Sequence, residues 1–214
     1  ESSGNTAFDH TGKENHGTVS GGAYPGRTGL LGQSVYEFDG TDGYVRHDYT
    51  TSPSFTVNLW MKSNTSTWSS SGAGWADRTA NGFLLHPDSD DRSWSGYILS
   101  NGDNNYTEIA DHIPDDITVW HMYTITHDNN TNTSRMFFDG EKVGESSTTT
   151  NRISESSKAT IGHDGLDNYS PGERPLDGFI GEARMYNRPL TPIEIQYLHT
   201  VGIKGIQVSS KKSS

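Results

Sequence analysis

Residues 55–62 alternate cleanly: Phe55, Val57, Leu59 and Met61 fall on one side, Thr56, Asn58, Trp60 and Lys62 on the other. A two-residue period of this kind predicts a β-strand with one face in a core. Shorter strand signals recur at 82–86, 96–99, 106–109, 135–138, 141–144 and 159–162, and longer ones at 120–127 and 179–186. Turn residues punctuate them at short intervals, which predicts a sandwich rather than alternating strands and helices. Asp139-Gly140, between two of these runs, is a strong hairpin signal. One helix is well specified. Thr191 as N-cap, Pro192 at N1 and Glu194 at N3 form a capping box, with Leu190 and Ile195 spaced as a hydrophobic staple. The helix is expected to reach about His199 or Thr200 and to stop at Gly202. Residues 203–208 then read as an edge strand, and 209–214 as a disordered tail or linker.

Composition agrees with a thin two-layer sandwich. The chain has 214 residues, of which 30% are hydrophobic and 24 are Gly. Ser and Thr number 26 and 23. With no cysteine, disulfides and thiolate metal sites are excluded. A net charge of −11 disfavours nucleic acid and anionic membrane surfaces as partners. No apolar run is long enough for membrane insertion. No signal peptide is visible, so Glu1 reads as a processed or excised start.

Two phrases carry a family resemblance. Residues 36–45, Tyr-Glu-Phe-Asp-Gly-Thr-Asp-Gly-Tyr-Val, stand near the start. Residues 177–188, Asp-Gly-Phe-Ile-Gly-Glu-Ala-Arg-Met-Tyr-Asn-Arg, run into the capped helix near the end. With the opening Ala7-Phe8-Asp9 and Asn15-His16-Gly17-Thr18, their order resembles that of laminin-G-like, concanavalin A-like jelly rolls (the lectin/glucanase superfamily). The resemblance implies an all-β fold: a two-sheet antiparallel jelly-roll sandwich with one short C-terminal helix. It places the domain at 1–202 and an extension or linker at 203–214. It also implies that chain start and chain end share one hydrophobic interior, so that Phe38 and Met185 meet. The family's usual aromatic is replaced by Thr6, and its usual acid before Glu182 by Gly181.

Calcium is the first candidate ligand, because the resemblance implies that the opening loop, the Phe38-Asp39-Gly40 turn and the closing strand converge. Asp9, Asp39, Asp42 and Glu182 would then offer carboxylates to one structural Ca²⁺. Alternatively, Asp39 and Asp42 simply support a turn through backbone hydrogen bonds. Carbohydrate is the second, since sugars take aromatic platforms with polar rims. Trp68, Trp75 and Trp94 stand in polar surroundings and Trp60 on the polar side of its strand, with Asp164, Asn168 and Tyr169 as a polar rim. Each tryptophan could instead be a packing residue. Asn64, Asn105, Asn129, Asn132 and Asn168 begin glycosylation sequons.

Glu37-x-Asp39-x-x-Asp42 lies close to the Glu-x-Asp-x-x-Glu run of retaining glycosidases on this fold, but ends in Asp after a Gly40-Thr41 turn. Glycoside hydrolysis is therefore the weaker alternative, and the chain is read as non-enzymatic. The expected function is a secreted or cell-surface adhesion module binding a glycan or another surface ligand. The rival is a structural subunit of an extracellular filament or coat, self-assembling through its termini.

Overall fold

The computed structural model describes residues 4–28, 34–68, 74–79, 81–87, 92–99, 106–147, 152–163 and 174–211, with the side chains of the last helix described to residue 203. The chain begins with β1 (Thr6–Ala7), β2 (Gly17–Ser20), β3 (Ala23–Thr28), β4 (Ser34–Asp39) and β5 (Tyr44–Thr50). Next come β6 (Phe55–Ser63), β7 (Trp75–Asp77), β8 (Phe83–Pro87), β9 (Trp94–Leu99) and β10 (Tyr106–His112). The order ends with β11 (His121–Asp128), β12 (Thr133–Phe138), β13 (Glu141–Ser147), β14 (Ser156–Ile161), β15 (Asp177–Tyr186) and helix α1 (Pro192–Lys211).

Two antiparallel sheets face each other. One runs β1-β2-β5-β14-β7-β8-β9-β10 and the other β13-β12-β11-β6-β15-β4-β3. Every strand run expected from the alternation is present within a few residues, and the fold is the jelly-roll sandwich expected. At the centre of the seven-stranded sheet, β6 turns Phe55, Val57, Leu59 and Met61 into the core between the sheets. Phe38 is fully buried in that core and Met185 packs against it, so head and tail share one interior. Their strands also pair directly, with Asp39 opposite Asp177.

The local signals act as expected. Asp139 (φ 49°) and Gly140 (φ 86°) take the paired left-handed conformation of a type I′ hairpin turn between β12 and β13. Thr191 N–H donates to Glu194 Oε2 (2.8 Å) and Glu194 N–H to Thr191 Oγ1 (3.3 Å), closing the capping box. Leu190 and Ile195 are both buried beside Trp60, Met122 and Phe137.

Two expectations are corrected. Helix α1 runs unbroken through Gly202 to Lys211, so residues 203–208 form no edge strand and the helix crosses the 202/203 boundary. Gly202 is a contact residue rather than a stop. A Cβ there would come within 2.3 Å of Trp60 Cζ2, so the helix needs glycine to lie close against the sheet. Polar alternation in β6 also does not mean exposure. Thr56, Asn58 and Trp60 are as buried as the core-facing residues, because the C-terminal segment covers the sheet's outer side: Thr56 Oγ1 donates to Arg188 O (2.9 Å) and accepts from Leu190 N–H (2.8 Å).

Candidate functional site: a groove between the sheets

Strands β4 and β15 pair only where Tyr36–Asp39 face Ile180–Asp177. A bulge between Ile180 and Ala183 then turns β15, which continues along β6 alone while β4 stays with β3. The parting of β4 and β15 opens a groove of about 1210 Å³ that reaches into the space between the sheets. Val45, His47 and Tyr49 share the inward parity of β5, and all three line the groove with Trp75 of β7. Phe55, Phe83 and Arg152 line it further in. At the rim stand Asp9 from the opening segment, Glu182 within the bulge of β15 and Arg184 just past it.

The lining is held in place by hydrogen bonds. Trp75 Nε1–H donates to His47 Nε2 at 3.1 Å, with the two rings edge-on. Burial pushes the His47 pKa down, so the ring is neutral and, with Nε2 accepting, carries its proton on Nδ1. Tyr49 donates to Asp77 Oδ2, as does Ser157 Oγ (2.8 Å), while Thr79 N–H reaches Asp77 Oδ1 (2.9 Å). Burial, reinforced by the Asp77 charge, pushes the Tyr49 phenol far above its usual range, so it remains a donor. Arg152 is 5% exposed. It donates to Gly82 O (2.9 Å) and lies 4.6 Å over the Phe55 ring. Desolvation brings its pKa down to about 10, which leaves it charged at neutral pH.

At the rim, Arg184 and Glu182 form an ion pair at 2.7 Å. The Asp9 carboxylate accepts from Thr11 N–H (2.8 Å) and Asn15 N–H (3.1 Å). Slight desolvation works to raise the Asp9 pKa, but those hydrogen bonds outweigh it and hold the carboxyl below its usual range. The groove thus combines aromatic and aliphatic walls with oriented donors, acceptors and charges of both signs. Such a surface can bind a polyhydroxylated ligand by its faces and edges.

The four carboxylates expected to share a calcium ion do not converge, which corrects that ligand set. Ala7 pairs with Gly17 and Gly17 with His47, so Asp9 lies toward the Tyr49 end of β5. Asp42 precedes Tyr44, which faces Ser20 at the opposite end. There Asp42 Oδ1 accepts from Gly22 N–H (2.8 Å) and Asp39 Oδ1 from Thr41 N–H (3.0 Å), the turn-supporting roles that were the alternative. Glu182 lies five residues along β15 from Asp177, the partner of Asp39, roughly 15 Å of strand. Among the described residues no group of three or more His, Cys, Asp or Glu is placed to hold a metal ion.

The tryptophans are corrected too. Trp60, Trp68 and Trp94 are buried packing residues. Trp60 lies beneath α1, and Trp94 stacks on Tyr123 at 4.0 Å with Trp68 beside it at 5.2 Å. Trp75 is also buried but borders the groove. Of the sequon residues, Asn64 is exposed with Nδ2–H donating to Asp177 Oδ1 (2.8 Å), and Asn129 is half-buried. Asn132 sits at φ 52° in the β11–β12 turn. Asn105, Asp164, Asn168 and Tyr169 lie outside the described residues. Sequence reasoning missed His47 and Tyr49, which the alternation of 45–49 could have revealed, and Arg152, for which no local signal exists.

These features define a β-sandwich of the lectin-like class. Residues 39–196 match the family model of the concanavalin A-like lectin/glucanase superfamily (laminin G type), and the chain belongs to that family. No curated protein matches it. Among solved structures, it is similar to domain 4 of AbnA, a GH43 extracellular arabinanase from Geobacillus stearothermophilus, in complex with arabinotriose. That match has 19% identity and a TM-score of 0.70, over 91% of this chain and 93% of that one. A heptameric SAP-like pentraxin from Limulus polyphemus matches with 15% identity and a TM-score of 0.59, over 75% and 78% of the two chains. The binding domain of botulinum neurotoxin serotype D matches with 12% identity and a TM-score of 0.66, over 91% of this chain and 49% of that one. At these identities the likeness is one of fold. Among the described residues no helix is long and apolar enough to cross a membrane.

Proposed function

We propose that this domain is an extracellular, non-enzymatic carbohydrate-recognition module that holds a saccharide in the groove between its sheets. One observation carries the reading: a groove is lined both by Trp75 and His47, locked to each other, and by the Glu182–Arg184 ion pair. Ring edges and faces suit the C–H surfaces of a sugar, and the charged rim suits its hydroxyls. The arabinotriose complex of the similar arabinanase domain supports the same ligand class. Glu37 and Asp39, the pair that would suit hydrolysis, lie on the outer face of the other sheet wall and outside the groove, with Glu37 held by Arg27 at 2.5 Å. No covalent step is part of the proposal.

A glycan array that includes arabino-oligosaccharides, followed by calorimetry on the hits, tests it. Arg184→Ala and Glu182→Gln are expected to weaken a hit at least tenfold while circular dichroism stays unchanged. A blank array, or hits indifferent to both substitutions, overturns the reading. Assembly is the second reading, favoured by exposed Ile193, Tyr197 and Val201, which repeat every four residues along α1. Concentration-dependent mass in light scattering would support it.

A further inference from the structure

A second surface, outside the groove, carries sugar-like complementarity. On the outer face of the seven-stranded sheet, register puts Lys62 of β6 opposite Phe179 of β15. Phe179 in turn faces Glu37 of β4, and Glu37 faces Tyr24 of β3. Residues paired in register share a face, so the four form one row across the strands. Trp120, just before β11, extends it: its ring lies 6.5 Å from that of Phe179, inclined at 61°. Lys62 Nζ stands between them, 4.7 Å from the Phe179 centroid and 5.8 Å from that of Trp120. Neither Tyr24, Glu37, Lys62, Phe179 nor Trp120 lines the groove.

A polar row borders the aromatic one on the same face. Asp39 lies opposite Asp177, Asn64 Nδ2–H donates to Asp177 Oδ1 (2.8 Å), and the Tyr24 hydroxyl donates to Asp39 Oδ2 (3.4 Å). Beyond Tyr24, at the edge of the sheet, lies a hollow of about 690 Å³ between Tyr24, Pro25 and Arg27 of β3 on one side and Asn5, Val19 and Ser20 of the opening segment and β2 on the other. Arg27 is itself paired with Glu37.

The geometry points to a second saccharide site, in which an oligosaccharide lies across the strands with sugar rings against Trp120, Phe179 and Tyr24 and its end in the hollow beside Arg27. Phe179 and Tyr24 are two strands apart, about 10 Å at ordinary strand spacing, which calls for a chain rather than a single sugar. Partly exposed rings alternating with Lys62 and Glu37 match the alternation of C–H faces and hydroxyls along such a chain. Three carboxylates, Glu37, Asp39 and Asp177, against Lys62 and Arg27 favour an uncharged oligosaccharide over a uronate.

Calorimetry with cellohexaose, xylohexaose and chitohexaose, and with oligogalacturonate as the anionic counterpart, tests this. At least one neutral hexasaccharide is expected to bind. Tyr24→Ala and Trp120→Ala are each expected to weaken it tenfold or more. Tyr24→Ala keeps the melting temperature within a few degrees of the parent, whereas Trp120→Ala, whose ring packs on the Trp60 cluster, lowers it while circular dichroism stays native-like. Because the other tryptophans are buried, binding is also expected to shift tryptophan fluorescence, and Trp120→Phe to abolish the shift. Absence of binding by all three neutral hexasaccharides overturns the proposal, as does preference for oligogalacturonate. Binding that survives both alanine variants, or that is lost on Glu182→Gln, places the sugar elsewhere and overturns it. Concentration-dependent dimers abolished by Tyr24→Ala would assign the face to a second copy of the chain and also overturn it.

Discussion

The indole of Trp60 lies nearly parallel to the imidazole of His199, with 13° between the planes and 5.7 Å between ring centres. Three residues further along α1, Gly202 presses on the same indole. Helix and sheet are joined here by an aromatic stack and a missing side chain.

Gly202→Ala separates packing from helix propensity. In a helix interior alanine is favoured over glycine by about 1 kcal/mol, so a purely local effect would stabilise. Here the added methyl meets Trp60, and overpacking of this kind costs about 1–3 kcal/mol. The expected outcome is a lower melting temperature in calorimetry. A raised one would show that the helix does not bear on Trp60.

Removing the phenol of Tyr49 tests the groove wall from behind. Asp77 accepts from Tyr49 and Ser157 in the buried interior and from half-buried Thr79. Tyr49→Phe leaves the carboxylate one donor short, at an expected cost of about 1–3 kcal/mol in urea unfolding. A change below a few tenths would show the bond to be immaterial.

Acid should loosen the fold through His127. Burial, helped by the charge of Arg152, lowers its pKa to about 4, so the folded state favours the neutral ring. Above the unfolded value of about 6.5 both states are neutral and the group contributes no pH dependence. As pH falls from there toward 4, the unfolded chain takes up the proton first and stability is lost, by about 3 kcal/mol in full. Urea unfolding of the parent and of His127→Gln across this window checks the sign. The variant is expected to show the shallower acid loss, and an equal slope would overturn the assignment.

Chelation provides a separate check. Because Asp9 and Glu182 stand apart from Asp39 and Asp42, neither EDTA nor added calcium is expected to move the melting temperature. A calcium-dependent rise of several degrees would mean that these carboxylates gather in solution.

The sequence displayed most of the fold because local chemistry and tertiary structure agreed there. Phe55 to Met61 alternate and face the core, Asp139-Gly140 turns a hairpin, and Thr191 with Glu194 caps the helix. The site was far less legible. Polar neighbours made Trp94 look exposed, yet Ser93 and Ser95 are themselves buried, so flanking polarity carried no information about depth. Gly202 read as a stop because its sequence context cannot reveal a tryptophan 142 residues earlier in the chain. Arg152 reaches the groove only through long-range packing, and His47 gains its role from Trp75, a partner on another strand. The calcium set failed for a related reason. The resemblance brought chain start and end together, but strand direction decides which end of each strand the acids occupy.

The bulge of β15 gives the groove an origin in the main chain. Its mouth exists because a hydrogen-bonded ladder stops four pairs in, whatever side chains surround it. Side chains at the rim can therefore change by substitution without threatening the aperture. Deleting one residue at the irregularity would instead let the two strands zip together and seal it.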